Sequence, residues 1–320
     1  LEAIYEPRFL NCMYGFRPNR GCHDAIKELY KRLNNTKICY IVDADIKGFF
    51  DHMKHEWIIK FLNLYIKDPN IIGLVKKYLK VGVLDGGELM MNEEGSAQGN
   101  IISPILANIY MHNVLTLWYK FIITKECKGD NFLIVYADDF VAGFQYKWEA
   151  ENYYKLLKER MEKFGLQLEE SKSRLLQSGA YIARAKQKSG ESTRLETFDF
   201  LGFTFYCGRS RKGMPYIMPK TSSKKFRQKI RDIKVWLYAN RDQSLKKLMG
   251  MLNLKLVGHY RYYGISFNGR MISNYKQQVR ELLFKVLNRR SDRKSYTREG
   301  FIEMLKYYPL ALPKIYVSLF

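Results

Sequence analysis

The amino-acid sequence predicts an α+β fold, a sheet with helices on one side, followed by an all-α module. Three observations carry that expectation. Through residues 1–200, short β-branched runs alternate with stretches that are apolar at helical spacing. From Ser222 onward only the helical pattern continues. The charge changes in the same region: residues 1–200 hold 28 basic and 26 acidic side chains, whereas residues 201–320 hold 26 basic and 6 acidic. A module boundary is therefore expected near Met218-Pro219, with one module over residues 1–218 and a second over 219–320.

The elements are legible in order. His23 to Leu33 has a helix pattern after a Gly-Cys-His-Asp lead-in, and Lys37-Ile38-Cys39-Tyr40-Ile41-Val42 is a short β-branched run expected as a strand. Trp57 to Tyr65 and Ile71 to Leu79 are apolar at helical spacing, separated by the Asp68-Pro69-Asn70 break. Ser103-Pro104 opens a helix, with proline at an early position where its missing N–H does no harm. Phe132 to Tyr136 and Phe140 to Phe144 predict two strands around a tight turn, followed by a helix from Glu149 to Phe164 that Gly165 ends. Residues 177–194 are rich in Ser, Gly and Lys and are expected as a loop, and Phe198 to Phe205 predicts a further strand pair. Lys224 to Tyr238, Leu245 to Tyr262 and Ile272 to Leu287 predict the helices of the second module.

Composition excludes several classes. At 320 residues, 47% hydrophobic and 15% aromatic, the chain has ample material for more than one core and is not a disordered polymer. No apolar run approaches the roughly 20 residues of a membrane span. The five cysteines are scattered, odd in number and without a C-x-x-C pair, which argues against a disulfide framework or zinc knuckle and suits a reducing, intracellular compartment. The start, Leu1-Glu2-Ala3-Ile4-Tyr5, reads as the middle of a longer protein. The net charge of +22 is concentrated behind residue 200, which points to a polyanion and, among polyanions, to nucleic acid. An anionic membrane surface is the weaker rival, because aromatic and polar residues interrupt the basic segments.

Two acidic clusters stand out. In Ile41-Val42-Asp43-Ala44-Asp45-Ile46-Lys47-Gly48-Phe49-Phe50-Asp51 and in Leu133-Ile134-Val135-Tyr136-Ala137-Asp138-Asp139-Phe140, carboxylates sit at the end of a buried-type strand or in the turn after it. Adjacent carboxylates repel unless a cation sits between them. Mg²⁺ takes oxygen ligands, usually a few carboxylates plus substrate phosphates, and a pair of such ions can activate a hydroxyl and stabilise a leaving pyrophosphate. The bland alternative is a solvated Asp-Asp hairpin tip. The five histidines show no metal-ligand spacing.

The segments around these clusters resemble the reverse transcriptases of bacterial and organellar group II introns, the intron-encoded maturases. Seven blocks stand in that family's order. They are Asn11 to Gly21 with Tyr14-Gly15-Phe16-Arg17-Pro18, Asp45 to Asp51 continued by His55, Gly95 to Tyr110, and Tyr136-Ala137-Asp138-Asp139. Gly165-Leu166-Gln167-Leu168 with Lys172, Phe200-Leu201-Gly202-Phe203, and Gly258 to Ile265 complete the set, so the resemblance spans about the whole chain. It implies a right-hand polymerase: an antiparallel palm sheet with partial fingers over residues 1–218 and a basic, helical thumb or maturase domain over 219–320. The expected activity is RNA-directed DNA polymerisation, with binding of intron RNA in aid of splicing and mobility.

The same resemblance assigns Asp45, Asp138 and Asp139 as metal-binding catalytic carboxylates, with the backbone carbonyl of Ile46 as a further ligand. The implied cofactor is a pair of Mg²⁺ ions, with Mn²⁺ as the substitute. Phe50 falls where the family places a ring under the sugar, excluding a 2′-hydroxyl; plain core packing is its alternative. Gln98 and Gly99 fall where the chain approaches nucleotide and template closely, and Lys172 falls near the phosphates unless it is simply solvated. Arg17 and Arg20 are candidates for template phosphate contact or for surface solvation. In the second module Lys224, Lys225, Arg227, Lys229, His259 and Arg261 are candidates for gripping the nucleic acid, with Tyr262 and Tyr263 either stacking on it or buried. Expected partners are an RNA template (group II intron RNA), a DNA primer and deoxynucleoside triphosphates, in a bacterial cytoplasm or an organelle, with no membrane. Ser96-Ala97-Gln98-Gly99-Asn100 departs from the family's Thr-Pro-Gln-Gly-Gly, and the family's fingertip block is expected upstream of Leu1. The rival functions are a splicing maturase that no longer polymerises and a domesticated relative serving defence. The intact carboxylate triad favours polymerisation over the former.

Overall fold

Helices α1 (Glu2–Tyr5) and α2 (Cys22–Asn35) open the chain in the computed structural model, which describes residues 1–80, 83–85, 88–90, 101–289 and 295–320. The Asp24 carboxylate accepts the Gly21 N–H at 2.8 Å, placing an acidic group at the positive end of α2. Strand β1 (Tyr40–Ala44) leads into α3 (Phe49–His52), α4 (His55–Asn63) and α5 (Pro69–Lys80). Strands β2 (Val83–Asp85) and β3 (Glu88–Met90) form a separate antiparallel pair. Helix α6 (Ser103–Met111) continues through wide π-type turns at His112–Thr116 and Tyr119–Ile123 into α7 (Thr124–Glu126). The hairpin β4 (Asn131–Tyr136) and β5 (Asp139–Phe144) follows, then α8 (Lys147–Lys163), β6 (Arg174–Gln177), α9 (Ala180–Lys188) and β7 (Phe198–Phe200).

The central sheet has the order β4-β5-β1-β6, antiparallel at every pairing. Alternate residues Val42, Ala44, Leu133, Val135, Phe140 and Ala142 join one core with Leu106 and Tyr110 of α6 and with Ala150, Tyr153 and Leu157 of α8. Each such fully buried large side chain contributes about 1.5–3 kcal/mol by leaving water. Helix α8 ends where Gly165 takes φ 77°, a left-handed conformation that glycine adopts without a Cβ clash. Residues 1–201 and 207–217 form one compact unit, and residues 202–206 with 218–320 form a second. Strands β8 (Phe203–Arg209) and β9 (Pro215–Thr221) each contain residues of both.

The second unit carries α10 (Ser223–Ala239), α11 (Leu245–Tyr263), α12 (Gly269–Leu287) and α13 (Arg298–Tyr307). The Ser222 hydroxyl accepts the Lys225 N–H and the Thr297 hydroxyl accepts the Gly300 N–H, capping α10 and α13. Leu248, Leu252, Leu256 and Tyr260 recur at helical spacing on α11 and are buried, as are Ile272, Tyr275, Val279 and Leu283 on α12. Asn268 is fully buried; its amide oxygen accepts the Thr221 N–H and its amide nitrogen donates to the Tyr263 carbonyl, both at 2.8 Å. Among the described residues no helix is long and apolar enough to cross a membrane.

One expected loop is partly helical. Residues 177–194 include α9, whose sequence Ala-Tyr-Ile-Ala-Arg-Ala-Lys-Gln-Lys consists mostly of strong helix formers, with Ala180 and Ala183 buried three residues apart. The Ser and Gly residues that suggested a loop fall at its two ends, Ser178-Gly179 and Ser189-Gly190, where they terminate the helix.

Candidate active site

Strand β1 presents two chemically different faces. Val42 and Ala44 point into the core, so Asp43 and, just beyond the strand, Asp45 lie on the other face. The β4–β5 hairpin closes with the pair Tyr136↔Asp139, leaving Ala137 and Asp138 as a two-residue turn. Ala137 has φ 56°, which costs a non-glycine residue about 1 kcal/mol and marks the turn as strained. Because Ala44 pairs with Phe140, continuing the register by one residue brings Asp45 beside Asp139 and the turn. Burial raises the Asp138 carboxyl above its ordinary value; a backbone hydrogen bond opposes the rise and the neighbouring Asp45 charge adds to it.

Asp45 is held from the β6 side. Its N–H donates to the Ser173 hydroxyl at 3.2 Å and its carbonyl accepts the Glu169 N–H at 2.8 Å, while the Lys47 N–H donates to the Gln167 carbonyl at 2.9 Å. Ile46 and Leu168 therefore form a non-hydrogen-bonded antiparallel pair, and alternation turns the Ile46 carbonyl away from Leu168, to the side of the sheet where β5 lies. The Lys172 ammonium meets the Asp45 carboxylate at 2.8 Å, a contact that raises the lysine pKa. Asp43 shares the face. Burial is the main cause that pushes its carboxyl up to about 7; Arg174, with Nε 3.7 Å away, pulls it down, and the charges of Asp199 and Asp139 push it further up.

This face offers oxygen donors of the kind that hard cations take. Its donors are carboxylate oxygens together with the turned-out Ile46 carbonyl; burial first, and neighbouring carboxylate charge after it, raises Asp43 and Asp138, and an ammonium already compensates Asp45. Among the described residues no three His, Cys, Asp or Glu side chains converge into a preformed metal cage. Mg²⁺ is commonly held by one or two carboxylates and completes its octahedron with water and substrate phosphates.

The other expected site residues fall differently. Phe50 is half-buried, its ring edge-on to Phe49 at 5.3 Å, on a helix that Gly48 starts at φ 50°. Gln98 and Gly99 lie outside the described residues. Arg17 is not at the surface: it is buried, paired with Glu6 at 2.7 Å, and donates to the Leu10 and Met13 carbonyls, which uses its donors inside the fold. Arg20 is half-buried, bonded to the Asn11 side chain and carbonyl. In the second unit Lys224, Lys225, Arg227, Lys229 and Arg261 are exposed, whereas His259 is buried and stacked on the Tyr275 ring at 3.6 Å. A histidine sandwiched there is core and offers no face to nucleic acid; burial, reinforced by the Lys229 charge, lowers its pKa to about 3. Tyr263 is buried and Tyr262 half-buried.

Sequence reasoning overlooked Asp43, Ser173 and Arg174. The i, i+2 spacing of Asp43 and Asp45 on a strand was the available signal for the first, since it puts both on one face. No signal marked Ser173 and Arg174, which arrive from β6 and the loop before it.

The family model described as reverse transcriptase (RNA-dependent DNA polymerase) matches residues 1–205, and the one described as the group II intron maturase-specific domain matches residues 223–302. The group II intron-encoded protein LtrA of Lactococcus lactis subsp. cremoris is 40% identical over 130 residues, 41% of this chain and 21% of that protein. An uncharacterized 91 kDa protein in the cob intron of Schizosaccharomyces pombe is 43% identical over 115 residues, 36% of this chain and 14% of that protein. The matched regions thus span about a fifth or less of these relatives' lengths. A structure of apo telomerase from Candida tropicalis aligns with 95% of this chain and 52% of its own at 14% identity and a TM-score of 0.49. With a reverse transcriptase match over most of its length and a maturase match behind it, the chain belongs to the reverse transcriptases of group II introns.

Proposed function

We propose that the protein is an RNA-directed DNA polymerase that copies an RNA template, group II intron RNA in particular, by adding deoxynucleotides to a DNA primer. One observation carries this reading: the sheet register that sets Asp45 beside the strained Ala137–Asp139 turn. Asp45, Asp138, Asp139 and the Ile46 carbonyl hold Mg²⁺, which when bound activates the primer 3′-hydroxyl and stabilises the leaving pyrophosphate. Lys172, already against Asp45, is placed to follow negative charge as it develops on the triphosphate. Phe50, half-buried on Phe49, keeps a ring edge available to exclude a 2′-hydroxyl. Residues 1–218 serve as partial fingers and palm. Residues 219–320 serve as the thumb or maturase part, whose exposed Lys224, Lys225, Arg227 and Arg261 contact phosphates.

Primer extension on an RNA template by the full-length protein tests this. Asp138→Ala and Asp45→Ala are each expected to reduce extension to background while leaving RNA binding intact, because one lost carboxylate leaves the metal pair underbound. Substantial residual extension in either variant would refute the assignment. RNA binding by a wild-type protein that extends no primer would mark a maturase without polymerase activity.

A further inference from the structure

We infer that Gly15 is a positioning residue for the catalytic turn, held in place by Asn108. The inference rests on the polymerase reading of Asp138 and Asp139. The chain before Gly15 is laid along the free edge of β4: the Val135 N–H donates to the Cys12 carbonyl and the Tyr14 N–H to the Val135 carbonyl, both at 2.8 Å, with Met13 and Val135 paired in parallel. This edge is the one opposite β5, so the hairpin is gripped from both sides just before it turns. Gly15 then passes directly over the turn. A Cβ added there would overlap the Ala137 amide nitrogen and lie 3.0 Å from the Tyr136 carbonyl carbon. Gly15 does not itself have a positive φ, so the requirement is for space rather than for backbone freedom.

Two further contacts fix the glycine against the turn. The Asn108 amide of α6, 1% exposed, donates to the Gly15 carbonyl at 2.8 Å. The buried Arg17 guanidinium donates to the Leu10 and Met13 carbonyls and so holds the approach to Gly15. Ala137 sits at φ 56°, a conformation that persists only where its surroundings enforce it. The Gly15 backbone is one such enforcing surface, and it presses on the residue immediately before Asp138. A methyl group at Gly15 displaces the turn by roughly 1 Å, and misplacement on that scale can cost about a hundredfold in rate.

The test uses the full-length protein with Gly15→Ala, Asn108→Ala and, as a control, the core variant Leu29→Ala in α2. In Gly15→Ala, kcat for primer extension is expected to fall about a hundredfold while KM for deoxynucleotide and RNA affinity change less than about twofold. The divalent metal concentration for half-maximal rate should rise severalfold. In metal-free protein, hydrogen exchange at Val135–Phe140 should speed up in Gly15→Ala and Asn108→Ala by more than the general increase that Leu29→Ala causes across the first unit. If Gly15→Ala does not fold, Asn108→Ala carries the same comparison with smaller changes. Unchanged exchange at the turn together with full kcat overturns the inference, as does an equal loss of kcat in Leu29→Ala. If the wild type extends no primer, the polymerase reading fails, and hydrogen exchange alone still decides whether Gly15 braces the turn.

Discussion

At Arg17 a charged side chain in a segment of polar and basic residues serves the interior. Its guanidinium spends hydrogen bonds on the Glu6 carboxylate, at 2.7 and 3.0 Å, and on three main-chain carbonyls, and only 5% of the side chain meets solvent. Residue type alone does not separate a phosphate-binding arginine from this one, because both uses exploit the same planar fork of donors. The distinction has a measurable consequence. Breaking a buried pair strands its partner groups at a cost of about 3 kcal/mol, so Arg17→Met should lose about that much stability in urea unfolding. RNA affinity of the folded variant should not change. A drop in RNA affinity with stability preserved would return Arg17 to the template surface.

Elements were legible where local pattern and tertiary context agree. The β4–β5 hairpin shows as two apolar runs around Ala137-Asp138, and α10, α11 and α12 show as long 3.6-residue periodicities, whereas the short α13 went unread. Legibility failed where packing decided the outcome. Helix α9 buries only two alanines on a largely polar stretch, and β9 contains Pro215 and Pro219, so neither shows an apolar period. His259 belongs with these failures, since its burial depends on α11 meeting α12 at Tyr275. That junction predicts a pH dependence. Histidine titrates near 6.5 in an unfolded chain, but burial and the Lys229 charge hold His259 at about 3 in the fold. Between those values the unfolded state binds the extra proton, so the stabilisation is complete above about 6.5 and is lost progressively as pH falls. At about pH 5 the wild type should have lost about 2 kcal/mol on this account, and His259→Phe, which keeps the stack, should not. Urea unfolding of both proteins at neutral and acid pH checks this: equal acid losses would mean that His259 is not the titrating group.

Across the whole molecule, charge divides more sharply than secondary structure. The net charge of +20 behind residue 200 falls largely on the second unit, whose helices could bury their apolar faces with any soluble residues outside. The fold does not require so one-sided a surface. It costs self-repulsion, which binding to a polyanion would offset. Within the second unit the charge is not equally available. Lys224, Arg227 and Arg231 line an open groove with Phe226, Ile230 and Gln278, whereas Lys229 is paired with Asp232 at 3.7 Å. Phosphate binding releases condensed counterions, and log affinity falls with log salt by about 0.7 to 0.9 per neutralised phosphate. Replacing Lys224, Arg227 and Arg231 together by glutamine should therefore flatten the slope for RNA by about 2 units, with little change in sequence preference. Lys229→Gln should change it by less than about one unit, because Asp232 already compensates that ammonium. Replacing Lys76 and Lys77, exposed on α5 in the nearly neutral stretch of residues 1–200, is expected to matter less than the triple change. Salt titrations of the three variants measure this directly. A larger effect from the α5 pair would place the main phosphate contacts on the first unit, and the concentration of charge behind residue 200 would then need another partner to explain it.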